Sequence, residues 1–118
     1  MPGEPVSLIY HVCARVDWLA AEARGTYRGS RDDLRDGFIH FSTAEEAEAS
    51  CARHRAGQAD LVLLAVAAEA LGAALKWEPS RGDKLFPHLY GALPVSAVRS
   101  VHDLPLGPDG RHCFPRLG

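Results

Sequence analysis

The feature of this sequence that most constrains its fold lies near the middle of the chain, in DLVLLAVA at residues 60–67, where seven consecutive apolar residues follow Asp60. A strand with one face in water alternates apolar and polar residues, whereas a continuous apolar run is typical of a strand that is covered on both faces. The run is too short to cross a bilayer as a helix, which takes about 20 residues. It therefore predicts the central strand of a buried sheet.

Several other segments are rich in strand-forming residues and are bounded by turn residues, so each predicts a strand. They lie at residues 7–13, 37–42, 74–78, 86–91 and 97–101. Residues 27–36 are polar and predict a loop with one helical turn after Ser30. Because the strands cluster late in the chain instead of alternating with helices, we expect an α+β fold with two main helices.

The first main helix is predicted to begin at Arg15 or Asp17 and to end at Ala23. Asp17 suits its N-cap or first turn, and Gly25 suits its end. Apolar residues recur at the i, i+3, i+4 and i+7 positions, which predicts a stripe that faces the core. The stripe consists of Val16, Leu19, Ala20 and Ala23.

The second main helix is predicted to run from Thr43 to about Arg55. Thr43 and Glu46 fit a capping box, and Ser42 with Glu45 fits the same pattern one residue earlier. The residues expected to be buried are all small, so this helix can approach a sheet closely. They are Ala44, Ala47, Cys51 and Ala52.

Length and composition fit one domain of 118 residues, which we expect in the cytoplasm, with a tail at 1–6 and a surface-wrapping segment at 104–118. The chain has 13 Lys and Arg against 15 Asp and Glu, which disfavours a nucleic-acid partner. Its 3 cysteines are an odd number without a CxxC pair, which is typical of a reducing compartment. We expect no secretion signal and no membrane anchor. The oligomeric state stays open.

The best-known catalytic and cofactor motifs are absent from this sequence. Its 6 histidines show neither HExxH nor HxH spacing, so no metal is expected. There is no GxGxxG, no phosphate-binding GxxxxGK[ST] and no GxSxG. Candidate sites must therefore come from polar residues placed within the predicted strands.

Two strands hold such polar residues. His11 lies among apolar residues, so its ring either bonds to a core partner or lines a cleft. His40 and Ser42 are two residues apart and point to the same side as Phe38. They precede a helix N-terminus whose free N–H groups could meet an anion. Alternatively, Ser42 or Thr43 only caps that helix.

Three further polar residues lie in the later strands. Glu78 ends a strand beside Trp77, and it is either a catalytic carboxylate with a shifted pKa or an exposed acid. His88 and Tyr90 share one face of the segment FPHLYG. That face is either the wall of a binding site or a tightly packed loop.

Five motifs together resemble the bacterial family called domain of unknown function 952. They are IYHV at 9–12, GFIHFST at 37–43, DLVLL at 60–64, KWE at 76–78 and FPHLYGALP at 86–94. Their order and spacing match the family over nearly the whole domain. The resemblance implies a compact ADP-ribosyltransferase-like fold, in which a split pair of β-sheets forms a cleft for NAD.

The resemblance also implies roles by position. His11 matches the first-strand residue that holds the ribose of NAD, and Ser42 with Thr43 matches a pair that shapes the cleft. Glu78 is the candidate for the carboxylate that contacts the ribose and stabilises the transition state. Breaking the bond between nicotinamide and ribose develops positive charge on the sugar, which a fixed carboxylate stabilises.

Tyr90 is further expected to stack on nicotinamide, and Arg53 to reach a phosphate. The chain departs from the family pattern in two ways. It has no Glu-x-Glu or Gln-x-Glu pair, and His54 and Arg55 stand where aromatic residues are usual. The missing pair weakens the case for transfer to protein arginine side chains or similar acceptors, and the second departure implies that one face of the helix is more polar.

Four functions follow as alternatives. The first is an enzyme that uses NAD as a substrate and transfers ADP-ribose or cleaves NAD. The second is an inactive module that binds a nucleotide or a small anion. The third is an RNA 2′-phosphotransferase-like activity, which the lack of a basic excess disfavours. The fourth is a metal-binding protein that uses His88 and other histidines.

Overall fold

The apolar run is the central strand of a three-stranded antiparallel sheet. The computed structural model describes residues 7–117, with the backbone alone at Arg81, and the predicted tail at 1–6 lies outside this range. β4 (Leu61–Ala67) is buried at every position. Its neighbours are β1 (Leu8–Ala14) and β8 (Val98–Leu104). The prediction of a central strand covered on both faces is confirmed.

A second three-stranded antiparallel sheet has the strand order β3, β6, β5. Its strands are β3 (Ile39–His40), β5 (Leu75–Pro79) and β6 (Leu85–Leu89), and β2 (Thr26–Tyr27) pairs separately with β7 (Leu93–Pro94). The two larger sheets meet where Tyr10 and Ser42 exchange two backbone hydrogen bonds of 2.8 Å. The chain after β3 therefore lies beside the middle of β1.

Three α-helices complete the described part of the chain. They are α1 (Arg15–Arg24), α2 (Arg31–Asp36) and α3 (Ala44–His54), and 3₁₀ turns lie at Ala68–Ala74, Arg81–Asp83 and Val95–Ala97. The α+β class is confirmed. α2 is the helical turn that was predicted after Ser30, and it is short beside the two main helices.

The side chains of β4 divide the interior into two apolar clusters, because alternate residues of a strand face opposite ways. The first cluster contains Val62, Leu64 and Val66 with Trp18, Tyr27, Phe41 and others. The second contains Leu61, Leu63 and Ala65 with Tyr10, Ala47, Cys51 and Leu104. This central strand is therefore sealed from water on both faces.

The apolar stripe predicted for α1 is wrong. Trp18 and Ala21 are the buried residues of this helix. Val16 and Leu19 are 68% and 55% exposed. The single large aromatic side chain decides which face turns inward, because burying Trp18 removes more apolar surface from water than burying either aliphatic residue.

The C-terminal end of α1 agrees with the prediction, and at the N-terminal end one of the two predicted positions of Asp17 is observed. Gly25 ends the helix in the left-handed conformation, with φ 95°, and its N–H donates to the carbonyl of Ala21. The predicted end is therefore confirmed. The N-cap is Ala14, which provides no side-chain hydrogen bond, and Asp17 lies in the first turn. Of the two predicted positions for Asp17, the first turn is the one observed.

The capping box predicted for α3 is also wrong. Thr43 is the N-cap, but its side chain makes no capping hydrogen bond. Glu46 instead pairs with Lys84, whose Nζ lies 2.7 Å from the carboxylate. Of the small residues predicted to be buried, Ala47 and Cys51 are buried, Ala44 is half-buried and Ala52 is exposed.

The segment after β8 folds back against the second cluster. An isolated bridge joins Leu106 to His112, and His112 is buried. Phe114 and Leu117 pack on the residues of that cluster. None of the helices within residues 7–117 has both the length and the apolar character needed to cross a membrane.

Candidate functional site

A cavity of about 230 Å³ lies where β1, α2, the chain after β3 and the end of α3 come together. Its lining is rich in side chains that can bond to a ligand or move a proton. They include His11, Asp33, His40, Ser42, Arg55 and His88. The cavity therefore joins polar groups from segments that are far apart in the sequence.

The short helix α2 fixes the Asp33 carboxylate inside the protein. Ser30 caps this helix: its Oγ accepts from the Asp33 N–H at 3.3 Å, and its own N–H donates to Asp33 Oδ2 at 2.7 Å. Gly29 lies just before the cap with φ +106°, and a Cβ there would lie 2.6 Å from Asp33 Cβ. The turn needs glycine at this position so that Asp33, which is 3% exposed, can point inward.

Asp33 and Asp36 together hold His40. Asp33 Oδ1 accepts from the backbone N–H of His40 at 3.1 Å and lies 2.6 Å from Nδ1 of its ring. The other ring nitrogen, Nε2, lies 3.1 Å from Asp36 Oδ2. Since carboxylate oxygens only accept hydrogen bonds, both nitrogens carry protons. His40 is therefore an imidazolium between two carboxylates.

The pKa values agree with this assignment. The hydrogen bond to Asp33 raises the pKa of His40. Burial opposes ionisation of Asp33, but the hydrogen bonds that its carboxylate accepts from His40 and from the Ser30 N–H outweigh burial and hold its pKa well below the usual range. The Arg35 guanidinium lowers the pKa of Asp36. The charged pair of Asp33 and His40 thus persists at neutral pH.

His11 stands behind this pair with both ring nitrogens engaged. Nδ1 lies 2.6 Å from the carbonyl oxygen of His40, which can only accept, so Nδ1 carries the proton. Burial lowers the pKa of His11, so the ring is neutral. Nε2 then accepts from the Tyr27 hydroxyl at 2.7 Å. This arrangement holds the backbone of His40 in place, and the predicted catalytic role of His11 stays a prediction.

A second carboxylate–imidazole pair joins Glu78 to His88. Glu78 Oε1 lies 2.7 Å from His88 Nδ1 and accepts from the Tyr90 hydroxyl at 2.8 Å. The bond from His88, with help from Tyr90, lowers the pKa of Glu78. His88 is buried and lines the cavity, whereas Glu78 and Tyr90 are outside its lining. The Glu78 carboxylate is therefore linked to the cavity by its hydrogen bond to His88.

Phe38 joins the two pairs. Its ring stacks on His88 with a centroid distance of 4.2 Å and lies 4.6 Å from His40. The rings of His40 and His88 are 5.5 Å apart and nearly perpendicular. Two imidazoles, each bound to an ionised carboxylate, therefore adjoin one cavity.

The end of α3 contributes a guanidinium to the cavity, from a different arginine than the sequence predicted. Arg53 is exposed and lies outside the lining. Arg55 lines the cavity, with Nη1 donating to Gln58 Oε1 at 3.2 Å. Arg53 lies in the last turn of α3, whereas Arg55 is the residue that follows the helix, and its Nη2 lies 3.5 Å from the carbonyl oxygen of Val12 on β1.

The structure thus brings together four of the predicted site residues and leaves four outside the cavity. Those lining it are His11, His40, Ser42 and His88, and those outside are Thr43, Arg53, Glu78 and Tyr90. Sequence reasoning missed Asp33, Asp36 and the cavity role of Arg55. A signal for Asp33 existed, because Ser30-x-x-Asp33 is a capping pattern.

The cavity also contains a buried thiol that is not activated. Cys51 Sγ lies 3.5 Å from His112 Nδ1. His112 Nε2 donates to the carbonyl of Gln58 at 2.6 Å, so Nδ1 has a lone pair for the S–H proton. Burial raises the pKa of Cys51. Within residues 7–117, no three His, Cys, Asp or Glu side chains gather as a metal site.

The opposite pKa shifts of His40 and His11 predict that the free energy of unfolding is greatest near pH 6.5. The pKa of His40 is raised on folding, so its stabilising contribution is complete below about pH 6.5 and is lost as the pH rises through the folded value. The pKa of His11 is lowered, so stability falls as the pH drops below about 6.5 and the unfolded chain takes up a proton. Urea unfolding between pH 5 and 9 measures both limbs.

The His40→Gln variant is the control for that pH profile. Removing the His40 imidazole should abolish the alkaline loss that this group causes and leave the acid limb due to His11. A wild-type stability that rises steadily from pH 6.5 to pH 8 would contradict the assignment of His40 as an imidazolium.

Comparison with known proteins identifies the family of this chain. The family described as "Protein of unknown function (DUF952)" matches residues 12–101. A crystal structure of protein CC0527 from Caulobacter crescentus is 52% identical, has a TM-score of 0.88, and covers 91% of this chain and 94% of its own. Its solution NMR structure is 54% identical, with a TM-score of 0.79 and coverage of 88% and 90%. No curated protein matches. The chain belongs to the DUF952 family, as its motifs indicate.

Proposed function

We propose that this protein has an ADP-ribosyltransferase-like fold and is an enzyme that uses NAD, releasing nicotinamide and transferring or hydrolysing the ADP-ribosyl group. The observation that supports this most is the pairing of opposite charges around one cavity. α2 supplies the carboxylates of Asp33 and Asp36, and Arg55, which directly follows α3, supplies a guanidinium. NAD likewise combines a cationic nicotinamide ring with an anionic diphosphate.

The size of the cavity limits which part of NAD it takes. At about 230 Å³ it is smaller than the roughly 300–1,000 Å³ of pockets that enclose drug-sized ligands. The nicotinamide riboside portion suits such a volume, while the adenosine half lies outside. Arg55 at the end of α3 is then available to the phosphates.

The chemistry of nicotinamide release suits the fixed carboxylate of Asp33. As the C1′–N bond breaks, positive charge develops on the ribose, and a preorganised anion in a water-poor site stabilises it. Asp33 is ionised, buried and held by several hydrogen bonds, so it needs no reorganisation. In this proposal Asp33 takes the electrostatic role that the resemblance gave to Glu78.

The fold assignment within this proposal is supported by the way the two sheets are joined. They meet through the Tyr10–Ser42 bridge, and both of these residues line the cavity. A ligand site at the junction of a split pair of sheets is the arrangement that the resemblance implies. This chain shares the fold of CC0527, so the crystal structure of CC0527 allows the junction of the two sheets to be examined in a relative.

Nicotinamide release from NAD is the test, with Arg55→Gln and Arg53→Gln as a matched pair. We expect Arg55→Gln to lower kcat/KM by about 10- to 100-fold, because a hydrogen bond between charged groups contributes about 1.5–3 kcal/mol. Arg53 lies outside the cavity, so Arg53→Gln should change kcat/KM by less than about twofold. Chromatography of nicotinamide over time gives the rates.

Two results would remove the proposal. One is wild-type protein that releases no more nicotinamide than buffer does. The other is release that Arg55→Gln and Arg53→Gln leave equally unchanged, which would place the reaction away from this cavity. Thermal unfolding of both variants checks that a loss of rate is not a loss of fold.

A binding function without turnover is the second candidate. The observation that favours it is the position of Glu78, which is bound to His88 and Tyr90 and lies outside the cavity lining. Calorimetry with NAD, ADP-ribose and phosphate-bearing metabolites distinguishes the two. Binding of one of these at the cavity, with no nicotinamide released from NAD, supports the second candidate.

A further inference from the structure

We infer that His88 is the general base of this site, held for that role by Glu78 and Tyr90, and that the acceptor of the ADP-ribosyl group is water or a hydroxyl group. The inference rests on the proposed function. It assigns to Glu78 and Tyr90 the part of positioning residues, because Glu78 bonds to the base, Tyr90 bonds to Glu78, and both lie outside the cavity lining.

Two contacts hold the ring of His88, and a third orients the carboxylate to which the ring bonds. Nδ1 donates to Glu78 Oε1 at 2.7 Å, and the Tyr90 hydroxyl donates to the same oxygen at 2.8 Å, which orients the carboxylate. Phe38 stacks on the ring face at a centroid distance of 4.2 Å. The ring therefore cannot turn without breaking a charge-assisted hydrogen bond and a stacking contact.

This arrangement leaves Nε2 as the reactive nitrogen. With the proton of the neutral ring on Nδ1, Nε2 bears a lone pair. Nε2 makes no hydrogen bond to the residues that the structure describes. Among those residues, every side-chain nitrogen or oxygen that is fully buried has a hydrogen-bond partner, so an unpartnered Nε2 is not fully buried. Nε2 is therefore accessible, on a residue that lines the cavity. A base must present such a lone pair to the acceptor.

The other two imidazoles of the network are unsuited to this role. His40 has both ring nitrogens on carboxylates and both protonated, so it has no lone pair to offer. His11 has its lone pair occupied by the Tyr27 hydroxyl. Among the three rings, His88 alone combines a fixed tautomer with an accessible nitrogen.

The proton transfer balances with the rest of the reaction. The acceptor O–H gives its proton to His88 Nε2 while its oxygen bonds to C1′ of the ribose. The C1′–N bond breaks, and its electron pair goes to the ring nitrogen of nicotinamide, which leaves as a neutral molecule. The leaving group needs no acid, so a single base is sufficient. An anionic acceptor such as azide would need no base at all.

The His88→Gln variant tests the inference, with His102→Gln as the control, since His102 lies on β8 outside the cavity lining. We expect His88→Gln to slow nicotinamide release into water by about 100-fold or more, as loss of a general base does. Added azide should restore the rate and give ADP-ribosyl azide. His102→Gln should match the wild type with and without azide.

A measurement without turnover tests the positioning. The ¹⁵N chemical shifts of the His88 ring should show the Nδ1–H tautomer in the wild-type protein. Glu78→Gln should shift the ring toward a mixture of tautomers, and it should also make nicotinamide release depend on azide. A wild-type His88 in the Nε2–H tautomer would overturn the inference.

The outcomes separate this inference from the function it rests on. Nicotinamide release that His88→Gln leaves unchanged, or a loss that azide does not restore in folded protein, overturns the inference alone. A loss seen in His54→Gln and not in His88→Gln also overturns it, by moving the base to α3. Absence of release from wild-type protein removes the proposed function and this inference with it.

Discussion

Replacing Trp18 with alanine is expected to lower the free energy of unfolding by about 3–5 kcal/mol, the usual cost of truncating a buried aromatic residue. Trp18 is 4% exposed and belongs to the first apolar cluster. Its removal leaves a cavity between α1 and the central sheet that the surrounding residues cannot fully close. Urea unfolding, with the midpoint and the m-value compared, measures the loss.

Leu19→Ala is the matched control, because it makes a similar truncation at the next residue of the same helix. Leu19 is 55% exposed, so its replacement should change stability by no more than about 0.5 kcal/mol. If Trp18→Ala does not fold, Trp18→Phe should still show a partial loss that Leu19→Ala lacks. Equal effects of Trp18→Ala and Leu19→Ala would contradict the observed face of α1.

This contrast shows where the sequence predicts the fold well and where it does not. The central strand could be predicted because a continuous apolar run has one stable placement. The end of α1 could be predicted because Gly25 adopts a conformation that other residues avoid. The buried face of α1 could not, because Val16 and Leu19 satisfy the helical period as well as Trp18 and Ala21 do. Packing on the sheet decides between them.

The same distinction holds for the candidate site. Strand alternation places His40 and Ser42 on one side, and both line the cavity. Asp33 was missed because its importance comes from contacts with residues outside its own segment, chiefly the hydrogen bonds to His40. The resemblance implies Arg53 for a phosphate, yet Arg55 is the arginine that lines the cavity, and the rotation of a helix end cannot be read from residue type.

The contacts also explain why the predicted carboxylate and the observed one differ. Glu78 was chosen for its place at a strand end, and the structure gives that carboxylate two protein donors. Asp33 lies in a segment predicted as a loop, yet it is the more buried of the two. A burial difference of this kind depends on the tertiary fold, and it decides which carboxylate can act in a water-poor cavity.

Replacing Asp33 with alanine is expected to lower the free energy of unfolding by about 3–5 kcal/mol, because it breaks a buried charged pair. The N–H of Ser30 and two donors of His40 would lose their acceptor. The His40 imidazolium would lose one of its two carboxylates, so its pKa should fall toward the ordinary range. Urea unfolding and a proton NMR titration of His40 measure the two effects.

Asp32→Ala is the matched control on the same helical turn. The Asp32 side chain is 65% exposed and pairs with Arg35 at 3.3 Å, an exposed contact that contributes less than about 1 kcal/mol. The Asp33→Ala/His40→Ala double variant gives the coupling energy. Once Asp33 is absent, His40→Ala should cost much less than it does in the wild type, since the charge that it removes is already poorly compensated. Single losses that add fully would show that Asp33 and His40 contribute independently, against the charged pair on which the site depends.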